Sequence, residues 1–325
     1  MLTRRSFMAT AGGGVVAASS GLSTLADDFP SRAIRIVVPF APGAAIDVTA
    51  RLLQQPLTAA FGQSVVIENR PGATGMIGAS YVAQAAPDGY TLLYMPGSGL
   101  ALRKFVSKVP VPDLLTDFTP IATTVELASF IVVGGHTSIK SLQDLIDYSS
   151  KNPGKLNYGS AGVNSTQHIV GELLVRHGVK MVNVPFQGIA PAMTALLGGQ
   201  VDVGIFDLAT IKASMKDDNI RILAVASPKR HAGAPDIPTV SETLSGFEMP
   251  TFWIGIFGPK GMAASLVSRL NAEVTKALDS PEVKEKLLSQ NYAIIPNSPE
   301  GVAKLARDSV EAHRRVAELA KLTPQ

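Results

Sequence analysis

The sequence predicts an α/β protein folded as two lobes joined by a hinge. Short β-branched runs alternate with amphipathic stretches, which is the pattern of parallel βαβ units. A chain of 325 residues, 46% apolar and 17% charged, is long enough and apolar enough for two compact cores. Two of the strand runs, 121–133 and 252–257, are built to cross between lobes: the first is unusually long, and the second is dense in aromatics with Pro259 and Gly261 after it.

Residues 1–26 carry a separate message. Arg4 and Arg5 stand in a Thr-Arg-Arg-Ser-Phe-Met pattern, followed by a weakly hydrophobic Ala/Gly/Val stretch and a small-residue end at Ala26. This reads as a twin-arginine-like export signal cleaved after Ala26, with Sec export as the alternative, and as a periplasmic address. Ser19, Ser20, Gly21, Ser23 and Thr24 interrupt the apolar run, so no stable membrane anchor is expected.

After the signal, strands are expected at 34–39, 64–68, 91–95, 121–133, 156–159, 181–184, 201–206, 220–226 and 252–257. Helices are expected at 46–61, 76–85, 142–152, 165–176, 190–198, 263–279, 281–290 and 299–319, the first of them kinked at Pro56. With two crossings, residues 27–127 plus 251–325 form lobe I and 128–250 form lobe II. Ligands in such folds lie between the lobes, at the carboxyl ends of the strands.

The most informative segment is 34–53, where a buried strand runs through a Pro/Gly loop into a helix. The loop and first turn are Phe40, Ala41, Pro42, Gly43, Ala44, Ala45, Ile46 and Asp47. A helix start has unpartnered amides and partial positive charge, so a carboxylate or phosphate fits there without a lysine. Gly43 allows positive φ, and Asp47 sits where an N-terminal acid helps. An ordinary βα turn is the plainer reading of the same residues. Gly97 and Ser98, after the strand at 91–95, form a third strand-end loop that can complete the pocket.

The matching segment in the second half is Gly159, Ser160, Ala161, Gly162, then Ser165, Thr166 and His168, again a strand, a small-residue loop and a helix start. Ser165 or Thr166 is a helix cap candidate, and Ser160 with the amides around Gly162 can hold a ligand oxygen. His168 lies on the first turn beyond the loop. Val184-Pro185 with Phe186, Gln187 and Gly188 echoes Val38-Pro39-Phe40, either as a repeat or as two independent strand ends. Asp207 ends an apolar strand, where a carboxylate must cap the next helix or meet a ligand.

Other functions are disfavoured. The formal charge of +3, or +1 without Arg4 and Arg5, comes from scattered residues, so no nucleic-acid track is expected. There is no cysteine, hence no disulfide or thiolate chemistry. The five histidines lack ligand-like spacing, so no metal is expected, and no cofactor motif is present. Residues 154–159 have the glycine spacing of a P-loop but no following lysine.

Several motifs together resemble the Bug family, the periplasmic receptors of tripartite tricarboxylate transporters. They are residues 36–43 with Asp47 and Arg51, residues 66–72 with Gly75 and Gly78, 86–93, 153–159, Gln167 with His168, 197–201, 236–240 and 270–274. The resemblance implies a two-lobed Venus flytrap of type II character that closes over a small organic carboxylate and presents it to membrane permease subunits. It implies that a ligand carboxylate sits on backbone amides and ordered waters near residues 40–46. The second lobe would add residues 159–166 and Asp207. Ala44 replaces a frequent glycine, Phe186 and Gln187 replace tyrosine and lysine, and Leu208 replaces asparagine. These departures favour a more apolar or aromatic acid, beside a dicarboxylate or amino acid. The rival readings are a sensor acting on a membrane signalling partner and a periplasmic hydrolase using Ser160 or Ser165 with His168.

Overall fold

The computed structural model describes residues 29–216, 219–290, 292–320, 322 and 324; the expected export signal lies outside the described residues. The chain runs β1 (Ile34–Val38), α1 (Ala45–Phe61), β2 (Val65–Asn69), α2 (Met76–Ala83), β3 (Thr91–Pro96), α3 (Gly97–Val106), β4 (Phe118–Leu127) and β5 (Ser129–Gly134). It continues through α4 (Leu142–Lys151), β6 (Leu156–Ser160), α5 (Thr166–Arg176), β7 (Met181–Pro185), α6 (Ile189–Leu197), β8 (Val203–Phe206), α7 (Leu208–Ser214) and β9 (Ile220–Ala226). The last part is β10 (Phe252–Pro259), α8 (Ala264–Asp279), α9 (Pro281–Ser289), β11 (Ala293–Ile294) and α10 (Pro299–Leu319). Among the described residues no helix is long and apolar enough to cross a membrane.

The strands form two mixed sheets, ordered β11-β4-β10-β3-β1-β2 and β7-β6-β8-β5-β9. In the first, β1 pairs in parallel with β2 and β3, and β10 returns antiparallel to β3 and β4. In the second, β6 pairs in parallel with β7 and β8, and β5 returns antiparallel to β8 and β9. The two sheets therefore share one plan. β1 and β6 are the middle strands of equivalent parallel trios, and each leads into a helix, α1 or α5. The Val-Pro-Phe echo does not follow this plan, because β7 corresponds to β2 and not to β1.

Each sheet is buried on both faces. In the first, α1, α8 and α9 cover one face with Leu53, Leu57, Leu270, Val274 and Leu287, and α2, α3 and α10 cover the other. In the second, α4 and α5 cover one face, and α6 with α7 covers the other. Two helices of the first sheet also reach the second: Leu102 and Val106 of α3, and Val316 of α10, share an apolar cluster with Ile169, Val170 and Leu173 of α5. The sheets are thereby joined along one side by packing as well as by chain.

Several expectations need correction. The run 121–133 is two strands broken at Ala128, because β4 pairs in the first sheet and β5 in the second. The run 252–257 does not cross, since β10 lies wholly in the first sheet and residues 227–251 make the second passage. Gly97 and Ser98 are the first turn of α3 and not a loop; two glycines at 97 and 99 mask a helix in propensity terms. α7 and β11 were too short to show a period. Helix α1 continues through Pro56.

Candidate functional site

At the end of β1, the helix α1 starts without a side-chain cap, and Ala44 in its N-cap position is extended. The first backbone bond within the helix is Val48 N to Ala44 O, 2.9 Å. The amides of Ala45, Ile46 and Asp47 have no partner among the described residues, so three donors are left unpaired at the positive end of a 17-residue helix.

The loop before them is held by a closed polar triangle. Gly43 N donates to Asp47 Oδ2 at 2.8 Å, with Gly43 at φ +82°. Arg51 Nε donates to the same oxygen at 2.9 Å, and Asn69 Nδ2 donates to Asp47 Oδ1 at 2.8 Å. Asn69 Nδ2 also donates to Phe40 O at 3.0 Å, while Arg51 Nη2 donates to Asn69 Oδ1 at 2.9 Å. The Asp47 side chain is 2% exposed. Burial alone would raise its pKa, but the bonds from Arg51, Gly43 and Asn69 outweigh it and hold the carboxyl below its ordinary value. Asp47 therefore shapes the loop, and both of its oxygens are engaged. Arg51 and Asn69 fall within the family-like motifs at 36–51 and 66–72 and not among the site residues expected from sequence; the i, i+4 spacing of Asp47 and Arg51 is the signal for the first of them.

At the end of β6, Ser165 is the cap of α5 and accepts from His168 N at 3.3 Å. Thr166 and Gln167 present the free amides there. Ser160 is fully buried at the strand end, and its carbonyl accepts from Phe186 N at 2.8 Å, so Gly159–Gly162 and Phe186–Gly188 form one surface. The same junction brings Phe186 Cε2 to 3.5 Å from where a Cβ on Gly159 would stand. Ala161, Gly162 and Gly188 are half-buried, and Gln187 is exposed.

His168 Nδ1 accepts from Asn164 N at 3.3 Å, which places the proton of the neutral ring on Nε2. Burial depresses its pKa, against an opposing effect of Glu172. Neither Ser160 nor Ser165 bonds to the His168 ring among the described residues, so a Ser–His pair is not assembled. No cluster of three potential metal ligands exists among the described residues.

Asp207 caps α7, accepting from Thr210 N at 2.9 Å and Thr210 Oγ1 at 2.7 Å. It lines a small cavity with Leu127, Ala128, His231 and Tyr292. Tyr292 belongs to the first sheet's core, and its phenol is pushed up to about 12 by burial and then by the Asp207 and Tyr94 charges. The carboxyl end of β8 thus faces the first sheet. Gly97 and Ser98 lie at the start of α3, on the same edge of the sheet as the start of α1, because β1 and β3 are parallel neighbours. No hydrogen bond links residues 40–47 to the loops of the second sheet among the described residues.

A sequence profile for the tripartite tricarboxylate transporter family receptor matches residues 49–322. The chain belongs to this receptor family. The receptor is 37% identical over 310 residues to the protein from the tcbD-tcbE intergenic region of Pseudomonas sp. (strain P51), covering 93% of this chain and 91% of that one. Its structure is similar to that of the periplasmic binding protein BugD, with TM-score 0.75 and 31% identity over 91% of this chain and 100% of that chain. It is also similar to R. palustris Rpa4515 with adipate, with TM-score 0.79 and 32% identity over 92% of this chain and 100% of that chain. Family and fold are those of periplasmic solute-binding receptors of the Bug type.

Proposed function

We propose that this receptor captures a small organic carboxylate between its two sheets and delivers it to the membrane permease of a tripartite tricarboxylate-type transporter. The observation that supports this most is the pair of equivalent helix starts, α1 and α5, at the carboxyl ends of the two middle strands. The titratable groups around them are occupied or neutral: Asp47 by Arg51, Asp207 by Thr210, His168 by its depressed pKa. Amides, with bridging waters, can then meet an anion, and a bridging water is nearly as good as a direct bond. The similarity to an adipate-bound relative is consistent with such a ligand. In this reading the lobes are 27–127 plus 251–325 and 128–250, and cleavage after Ala26 releases the mature chain.

A carboxylate at one hundred times its Kd is expected to stabilise the receptor by about 2.7 kcal/mol, seen as a rise in Tm against a panel of organic acids. A rise with sugars or metal ions and with no acid would count against the proposal. Delivery is checked by uptake of the identified acid, which is expected to fall in cells lacking the receptor. Uptake that persists, with loss of a transcriptional response to the acid, would favour the sensor instead.

A further inference from the structure

We infer that Ser98 is a ligand-contacting residue, forming with the start of α3 a second oxygen-binding subsite that selects acids carrying an acceptor group at both ends. The inference rests on the proposed carboxylate capture and adds to it which residue reads the far end of the ligand. Ser98 is 0% exposed, and its Oγ has no hydrogen-bond partner. Among the described residues it is the one serine or threonine with a buried hydroxyl in that condition. An unmade hydrogen bond on a buried polar atom is unfavourable, so such an atom calls for an explanation.

Its position gives one. Ser98, Leu102 and Val106 are spaced i, i+4, i+8 and form one stripe of α3. Leu102 and Val106 are buried in the cluster that contains Ile169, Val170 and Leu173 of α5, so the stripe faces the second sheet. Ser98 is the end of that stripe nearest the strand ends, and a helical side chain leans toward the helix N-terminus. The hydroxyl therefore points along the seam between the sheets toward the side where α1 and α5 begin.

The backbone around it is a helix start. Pro96 precedes α3 without a side-chain cap, so no capping side chain meets the first amides of α3. Together they offer donors, with the positive end of a 10-residue helix behind them. The complementary group is an acceptor, and a carboxylate suits it best. An acid held at α1 by one end would place its other end here.

The test uses matched probes on the mature receptor, succinate against butyrate and adipate against hexanoate, with affinities from calorimetry. The native receptor is expected to bind at least one diacid about tenfold more tightly than its monoacid partner. Ser98→Ala is expected to weaken that diacid by about tenfold and leave the monoacid unchanged. The apo variant should melt at the same temperature or higher, because alanine removes an unpartnered hydroxyl. Equal diacid affinity in variant and native protein, equal loss for both members of a pair, or a native preference for the monoacid would each overturn the inference. Binding of none of the four overturns the inference, while the carboxylate reading beneath it falls only if no acid of the wider panel raises the Tm.

Discussion

Asp47→Ala is expected to lower the unfolding free energy by about 3 kcal/mol at pH 7, measured by chemical denaturation, because hydrogen bonds to a charged group contribute about 1.5–3 kcal/mol each. Three donors converge on this carboxylate: Gly43 N, Arg51 Nε and Asn69 Nδ2. The full sum is not expected. Arg51 is 45% exposed, so water takes over its share once the partner is gone. Asn69 also keeps its bond to Phe40 O.

The same substitution should abolish tight carboxylate binding, since the α1 amides keep their places only while the loop is tied to Asn69 and Gly43. The pH dependence has a definite sign. The folded carboxyl titrates below its unfolded value of about 3.9, so its stabilisation is fully present above that value. It is lost as pH falls through the lower folded value. The stability gap between native protein and variant should therefore be constant above about pH 5 and close below about pH 4. A gap that does not begin to narrow below about pH 4 would contradict the assigned role.

Gly97→Ala is expected to destabilise the receptor by about 3 kcal/mol, at the upper end for overpacking a core. A Cβ there would overlap the Trp253 six-membered ring. That ring cannot easily turn aside, because it is fully buried and its Nε1 donates to Ser309 Oγ at 2.8 Å. Trp253 is the chain's sole tryptophan, so its fluorescence reports the displacement directly. A shifted emission maximum with a lower midpoint of unfolding is the expected result; an unchanged spectrum and midpoint would refute the packing argument. Gly43→Ala is the useful contrast. Its Cβ would meet nothing within 4 Å, but φ is +82°, and the left-handed conformation alone costs about 1–2 kcal/mol.

Long elements with a clear period were legible in the sequence. Strand β9 and helix α10 have the expected bounds, and α1, α8 and β1 differ by a residue at one end. Elements whose local signal was weak or mixed were not. The start of α3 is masked by Gly97 and Gly99, yet Gly97 is required by a tryptophan more than 150 residues away. The uninterrupted apolar run through Ala128 concealed a change of sheet, because buried strands of either sheet are built from the same β-branched residues. At the site, the strand–loop–helix junctions at 40–47 and 159–168 could be read, since strand ends and helix starts leave local marks. Their equivalence could not, because it follows from strand order.

The sequence by itself determined the α/β alternation, the absence of cysteine and the two strand–loop–helix junctions, all of which depend on residues close together in the chain. Tertiary structure alone decided that Asp47 is committed to Asn69, that α3 and α10 bridge the two sheets, and that the Ser98 hydroxyl is buried without a partner. Whether a polar group is free to meet a ligand depends on which distant side chains reach it first, and no local pattern encodes that.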